Sequence, residues 1–340
     1  MKAIGYYQSL DITSEQALMD LEIPKVQATG RDLLVQVRAV SVNPVDTKIR
    51  ANVAPESNQP KVLGWDAVGT VVGVGEDVSL FSVGDEVWYA GDLTRPGSNA
   101  EYQCVDERIV ALKPKSLSHA DSASLPLTAI TAWELIFDRL QLDRYFADHK
   151  KEPTVLIIGA AGGVGSVLIQ LIKQLVPACV IATASRPTSQ EWVKSLGADK
   201  VISHHESLSE QIANLNTDEV THVISLNQTE DHFDAIAELI APQGKLALID
   251  DPKTPLDVMK LKRKSVSLHW EFMYTRSMFQ TADITKQHDL LTAVAQLIDQ
   301  GKLRTTLGEH YGPINADNLR RAHAQIESGT TIGKIVLEGF

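Results

Sequence analysis

A chain of 340 residues, 44% apolar and 22% charged, is too long for one growing hydrophobic core and reads as two domains of an ordinary folded protein. Its formal charge of −11, with no basic stripe beyond the short cluster Lys260, Lys262, Arg263 and Lys264, argues against a nucleic-acid partner. No apolar run nears the ~20 residues of a membrane span, the start MKAIGYYQSLDITSEQ shows no secretory signal, and two distant cysteines, Cys104 and Cys179, exclude a disulfide framework, so a reducing cytoplasm is expected.

From Met1 to about Leu125 the pattern is one of short strands and turns. LLVQVRAVSV alternates apolar and polar positions, and turn signals recur in GWDAVG, GVGED and SVGDEVW. This spacing predicts a barrel-like β domain. A helical stretch follows through SHADSASLPLTAITAWELIFDRL, residues 118–140.

At Thr154 the period changes. TVLIIG reads as a buried strand, GSVLIQLIKQLV as helix, ACVIATA as strand, SQEWVKSLGA as helix and KVIS as strand. ESLSEQIANL, VTHVISL, DHFDAIAELIA and KLALID continue as helix, strand, helix and strand. The alternation predicts a doubly wound parallel sheet in an α/β protein, with a last strand in VSLHWEFM, residues 266–273. HDLLTAVAQLIDQG reads as an amphipathic helix and IGKIVLEGF as a closing strand, and neither has a place in that sheet. The simplest closure returns this tail to the first domain, giving one domain from 1–125 and 275–340 and a second from 126–274.

In VLIIGAAGGVGSVLIQLIK a glycine-rich turn joins strand to helix. Gly162 and Gly165 suit a tight turn, close approach to a pyrophosphate and close helix packing, while Ala160 takes the first position of G-x-G-x-x-G. Gly163 and Val164 complete the loop, where a helix N-terminus offers N–H groups to phosphate. The second strand ends in ATASRPTSQ, with Ser185 and Arg186 where an NAD-preferring site would carry Asp or Glu; the first acid downstream is Glu191. A hydroxyl and a guanidinium suit a 2′-phosphate, so NADPH is the expected cofactor. His204 closes the third strand, placed to cover the adenine edge, and His204 with His205 has no third ligand nearby for a metal. Asn227 ends the fourth strand, where such sheets meet their cofactor.

The order SVNPVDTKIR, GWDAVGTVVGVG, VGDEVW, PLTAITAWELI, GAAGGVG, TASR and SLGADKVI resembles the medium-chain dehydrogenase/reductase superfamily over essentially the whole chain. More narrowly it resembles the quinone oxidoreductase branch, with relatives labelled zinc-type alcohol dehydrogenase-like. The resemblance implies a GroES-like β-barrel catalytic domain and a Rossmann domain. Zinc-dependent members bind the metal with a Cys after the early strand and a His in a G-H-E segment. Here Asn43 and Pro44 stand at the first position and Trp65 at the second, and the four-cysteine zinc loop is missing. An indole cannot ligate a metal and amides are poor zinc ligands, so no metal site is expected. Trp65 fills the space of the lost ligand, and Asp66 is left to cap or bond backbone nearby.

Without a Lewis acid the easier reaction is reduction of an acceptor whose product anion is delocalised: a quinone or an α,β-unsaturated carbonyl. The resemblance implies Asn43 as an amide donor to the developing oxyanion and Thr128 as a neighbour of the nicotinamide. Tyr89, Asn99 and Tyr102 lie on the segment expected to line the cleft, with a tyrosine hydroxyl as proton relay. Lys334 matches a C-terminal G-K found near the cofactor; a surface lysine is the alternative. The aromatic and Met content of LHWEFMYTRSMF suits a pocket wall or an interface, and a homodimer through residues 266–272 is expected. Two other functions stay open: a zinc alcohol dehydrogenase with unusual ligands, and an NADPH-binding structural or sensor protein with little turnover.

Overall fold

Alternation along Asp32–Val42 sends Leu33, Val35 and Val37 into the core and makes this eleven-residue strand the spine of a seven-stranded sheet. One edge pairs antiparallel with Ala67–Val74; the other takes Tyr102–Asp106 near the start of the strand and Lys334–Glu338 near its end. Register shifts at Leu34/Val35 and Val37/Ala39 interrupt the pairing of the spine with Ala67–Val74, the mark of β-bulges, which bend a strand locally. At Gly69 the two strands press together: an added Cβ would lie 2.2 Å from the Gln36 carbonyl oxygen. A smaller sheet joins Lys2–Tyr6 to Met19–Glu22 and Lys61–Val62.

The computed structural model describes residues 1–56 and 59–340. These strands belong to one compact unit, Met1–Ile130 with Tyr274–Phe340, and Thr131–Met273 forms a second. The first unit also carries the helices Pro44–Asn52, Lys286–Asp299 and Ala316–Glu327. The continuous helix expected over 118–140 is broken into His119–Ala123, Pro126–Trp133 and a wider turn at Glu134–Arg139. Pro126 is the cause of the first break. It has no N–H to donate backward, so the helix restarts there. The wider turn carries a bond from the Leu140 N–H to the carbonyl of Leu135, five residues back.

The second unit is built on six parallel strands in the order Lys200–Ile202, Cys179–Thr183, Thr154–Ile158, His222–Ser225, Lys245–Leu248, Ser267–Trp270. In chain order this is 3-2-1-4-5-6, the doubly wound arrangement expected from the alternation. Thr154–Ile158 is buried along its whole length because helices cover both faces. The helix Gly163–Leu175 buries Val167, Leu168, Ile169, Leu171 and Ile172, each contributing about 1.5–3 kcal/mol before conformational entropy is charged against it. The strand order reverses at Thr154–Ile158, and the carboxyl end of that strand is where a ligand of such a sheet binds.

Candidate active site

Thr154–Ile158 ends at Gly159, which takes a left-handed conformation with φ +79°. A Cβ at Gly159 would meet the Asn227 side-chain oxygen at 2.5 Å, so Asn227 closes the neighbouring strand directly against the turn. The Gly159 N–H donates to the Thr183 hydroxyl at 3.0 Å, tying the ends of the first two strands together. Gly162 is the N-cap of Gly163–Leu175, and its carbonyl accepts from the Ser166 N–H at 2.9 Å. Gly165 packs on Ala160, with the site of an added Cβ only 2.4 Å from the Ala160 carbonyl oxygen. Ala160 is buried, whereas residues 161–164 are half-exposed. The first-turn N–H groups therefore face outward at the positive end of a helix dipole, a cradle suited to a pyrophosphate. The predicted residues Ala160, Gly162, Gly163, Val164, Gly165 and Asn227 thus lie together.

A second group forms where Cys179–Thr183 and Lys200–Ile202 end, joined by the bond from the Ala184 N–H to the Ile202 carbonyl at 2.9 Å. The Ser185 Oγ lies 3.3 Å from His204 Nε2. Arg186 is the N-cap of the helix Pro187–Ser195; its N–H donates to the Ser189 Oγ at 3.2 Å and its side chain is exposed. Burial first, then His205, His232 and Arg186, hold the pKa of His204 below the ordinary histidine value. Ser185, Arg186 and His204 are therefore neighbours, as expected. Asp199, the acid nearest these strands in sequence, is engaged with Lys173 and the Val180 N–H.

The first unit holds a different kind of centre. Asp66, fully buried, accepts hydrogen bonds from the Ser41 Oγ (2.8 Å), Asn43 Nδ2 (2.8 Å), Lys334 Nζ (3.0 Å) and the Leu127 N–H (2.7 Å). Lys334 is also buried, and its ammonium donates to the Val42 carbonyl oxygen at 3.0 Å and to the Asn43 Oδ1. Those three acceptors match the three donors of an ammonium group. Lys334 is not a surface lysine. Asn43 is gripped from both ends of its amide, with its oxygen toward Lys334 and its nitrogen toward Asp66. Asp46, three residues on, accepts from the Asn43 N–H at 2.8 Å, and burial pushes its pKa up to about 7 against the pull of Lys334. Asp66 was expected only to bond backbone nearby and instead anchors the cluster. Its partners come from two strands, a helix and the N-cap of another helix, which no local spacing reveals. The Asn43–Pro44–Val45–Asp46 spacing, a capping pattern with Pro at the first helical position, was the one sequence signal that could have placed Asp46.

Trp65 is buried, its Nε1 donating to the Asp92 carbonyl oxygen at 3.2 Å and its ring edge-to-face with Tyr274 at 6.5 Å. Thr128 is buried, with its hydroxyl donating to the Leu125 carbonyl oxygen at 2.9 Å. The relay expected of Tyr89 needs correction: the ring is fully buried and burial raises its pKa, so its proton is harder to release. Strand Glu86–Tyr89 is covered on both faces, and strand alternation in the sequence could not show that. Asn99 is buried, holding the Ile4 N–H and Leu63 carbonyl through its own backbone, and Tyr102 sits half-exposed beneath the Lys25 ammonium at 3.9 Å.

Residues 29–115 match the alcohol dehydrogenase GroES-like domain and residues 196–337 the zinc-binding dehydrogenase family. A zinc-type alcohol dehydrogenase-like protein of Staphylococcus aureus (strain MSSA476) is 38% identical over 99% of each chain. The 2-methylene-furan-3-one reductase of Solanum lycopersicum is 30% identical over 99% of this chain and 79% of its own. A crystallised protein of Rhizobium etli CFN 42, assigned as a zinc-dependent alcohol dehydrogenase, is 52% identical, with a TM-score of 0.97 over 100% of this chain and 98% of that one.

Zinc appears in these names, but the donor set does not fit it. The Trp65 N–H is held by a carbonyl, the Asn43 amide is held by Asp66 and Lys334, and an ammonium already neutralises Asp66. Among the described residues no group of three His, Cys, Asp or Glu side chains is placed to hold a metal ion. Cys104 and Cys179 lie in different units, and burial raises the pKa of both thiols, that of Cys104 to about 11. With a GroES-like domain and a Rossmann nucleotide domain in one chain, and with relatives of these identities along its whole length, this protein is an oxidoreductase that belongs to the medium-chain dehydrogenase/reductase superfamily, among the zinc-type alcohol dehydrogenase-like proteins.

Proposed function

We propose that the protein is an NADPH-dependent reductase of quinones or α,β-unsaturated carbonyls that works without a metal. The observation that carries this reading is the centre around Asp66, where an amide, an indole and a lysine stand and no zinc donor set exists. The Gly162–Gly165 turn and the helix behind it would hold the pyrophosphate, and Ser185, Arg186 and His204 the 2′-phosphate. Bound there, NADPH supplies the hydride.

Asn43 keeps one amide N–H beyond its bond to Asp66, and in this reading it donates to the acceptor oxygen as charge develops there. Lys334 and Asp66 act as positioning residues that hold the amide in that sense. Hydride addition to the β-carbon of an enone leaves a delocalised enolate, and a solvent proton completes the saturated product. The 2-methylene-furan-3-one reductase among the relatives supports this substrate class, because its name describes a ketone conjugated to a methylene. The homodimer proposed from the sequence rests on Ser267–Trp270, the edge strand of the parallel sheet, where Trp270 and Phe272 are exposed. No helix among the described residues is long and apolar enough to cross a membrane, and we place the protein in the cytoplasm as part of this proposal.

The test follows the nicotinamide absorbance of protein purified without added metal, as oxidation of NADPH with a panel of quinones and enones and as reduction of NADP+ with primary alcohols. Turnover of enones or quinones supports the reading. Alcohol oxidation that depends on stoichiometric zinc would favour the activity that the relatives' names describe. NADPH binding without turnover of any acceptor would favour a sensor.

A further inference from the structure

The rim formed by Ser185, Arg186 and His204 is assembled from groups that carry positive charge or become positive. His205 packs against His204 with ring centroids 4.4 Å apart, His232 from the helix Thr229–Leu239 acts on His204 as well, and Arg186 adds a permanent charge. The acids nearby belong to other contacts or face water. Burial lowers the pKa of His232 and Asp231 pulls it the other way, Glu191 lies on the exposed face of Pro187–Ser195, and Glu206 is exposed in the turn after His205. Each influence on His204, burial included, lowers its affinity for a proton. A dianion beside it is the missing counterweight.

Hydrogen-bond arithmetic links this ring to Ser185. The hydroxyl has a single proton. When His204 Nε2 is bare, Ser185 must donate to it to keep the 3.3 Å contact, and that proton cannot also serve a phosphate oxygen. With a proton on Nε2, in the neutral Nε2–H tautomer or the imidazolium, the bond reverses: the ring donates to the Ser185 oxygen and the hydroxyl is free to donate outward. The imidazolium, in which both ring nitrogens are donors, fixes that direction and adds a positive charge at the same point.

We propose that His204 takes up a proton when the 2′-phosphate of NADPH seats beside Ser185 and Arg186, so that the preference for NADPH over NADH strengthens as the pH falls. This rests on the NADPH reading above and adds a regulatory property to it. The sign follows from linkage: binding that raises the pKa of a group is tightened as the pH drops through the bound-state value. The phosphate works in the opposite direction, because its own second ionisation near ~6 removes charge on acidification. The effect is therefore read between about pH 8 and pH 6.5, above that ionisation.

The experiment is fluorescence titration of the full chain with NADPH and NADH across this window, with calorimetry in two buffers of different ionisation enthalpy to count protons. The expected result is an NADPH Kd that falls about threefold or more towards pH 6.5, against a ceiling of about tenfold per unit of pKa rise. NADH should show no such slope, and NADPH binding should carry proton uptake. His204→Gln should lose both the slope and the uptake while His205→Gln keeps them. If His204→Gln fails to fold, the NMR titration of the His204 ring in wild-type protein, with and without NADPH, reads the same property. Equal slopes for both dinucleotides, unchanged uptake in His204→Gln, or a ring pKa that NADPH leaves in place would overturn the proposal. Absence of NADPH binding at every pH would overturn the cofactor reading as well.

Discussion

Around Asp66 every charged partner is withdrawn from water: Asp66, Lys334 and Asp46 are all buried and bonded to strands and a helix of the same unit. At the ends of Cys179–Thr183 and Lys200–Ile202 the arrangement is the reverse, with Arg186 and His205 exposed and His204 half-buried. A buried charge is held by low dielectric and fixed partners, so removing one partner leaves the other stranded. A rim charge stays close to water, so its removal strands no buried partner. The first centre should govern folding and the position of the Asn43 amide; the second should govern affinity alone.

The sharpest way to break this contrast is at Lys334. Lys334→Met leaves Asp66 buried without its cation and should cost about 3–5 kcal/mol in urea unfolding. Adding Asp66→Asn to it should recover part of that loss. A cost below about 1 kcal/mol would show that the centre behaves like a surface pair. Arg186→Ala should leave stability within about 0.5 kcal/mol, yet weaken NADPH by about 1.5–3 kcal/mol while NADH binding is unchanged. Loss of both dinucleotides in titration would contradict a 2′-phosphate role.

Gly165→Ala probes the cradle between these extremes. Its methyl would press on the Ala160 carbonyl, so a loss of about 1–3 kcal/mol in thermal melts should accompany weaker binding of both dinucleotides. The last probe, read as a slope with pH and not as a single loss, is Asp46. Its folded pKa, near 7, stands above the unfolded value of 3.8, so the folded state binds the extra proton between these limits. Stability then falls as the pH rises through this window, by at most about 1.4 kcal/mol per unit, and levels off above it. Asp46→Asn should flatten that slope; a slope of unchanged size in urea melts at pH 5, 6 and 7 would assign it elsewhere.

The same contrast explains what could be read from sequence. The parallel sheet was visible because TVLIIG, ACVIATA, VTHVISL and KLALID are buried on both faces and separated by helices, and each element is local. The glycine turn was visible for the same reason: Gly159 and Gly165 meet steric demands within seven residues. Lys334 and Asp66 stand 268 residues apart, and their bond exists only because Lys334–Glu338 and Ala67–Val74 both lie on the spine strand. The helical stretch over 118–140 was seen but not its breaks: Pro126 marks the first in the sequence, whereas the wider turn at Glu134–Arg139 has no compositional mark.

The metal-free reading of the Asp66 centre is tested most directly by comparing enone or quinone reduction with NADPH before and after exhaustive chelation, with metal content measured on the same samples. We predict unchanged turnover in protein that holds only substoichiometric metal. Activity that disappears with a tightly bound zinc ion and returns when one equivalent is restored would contradict it.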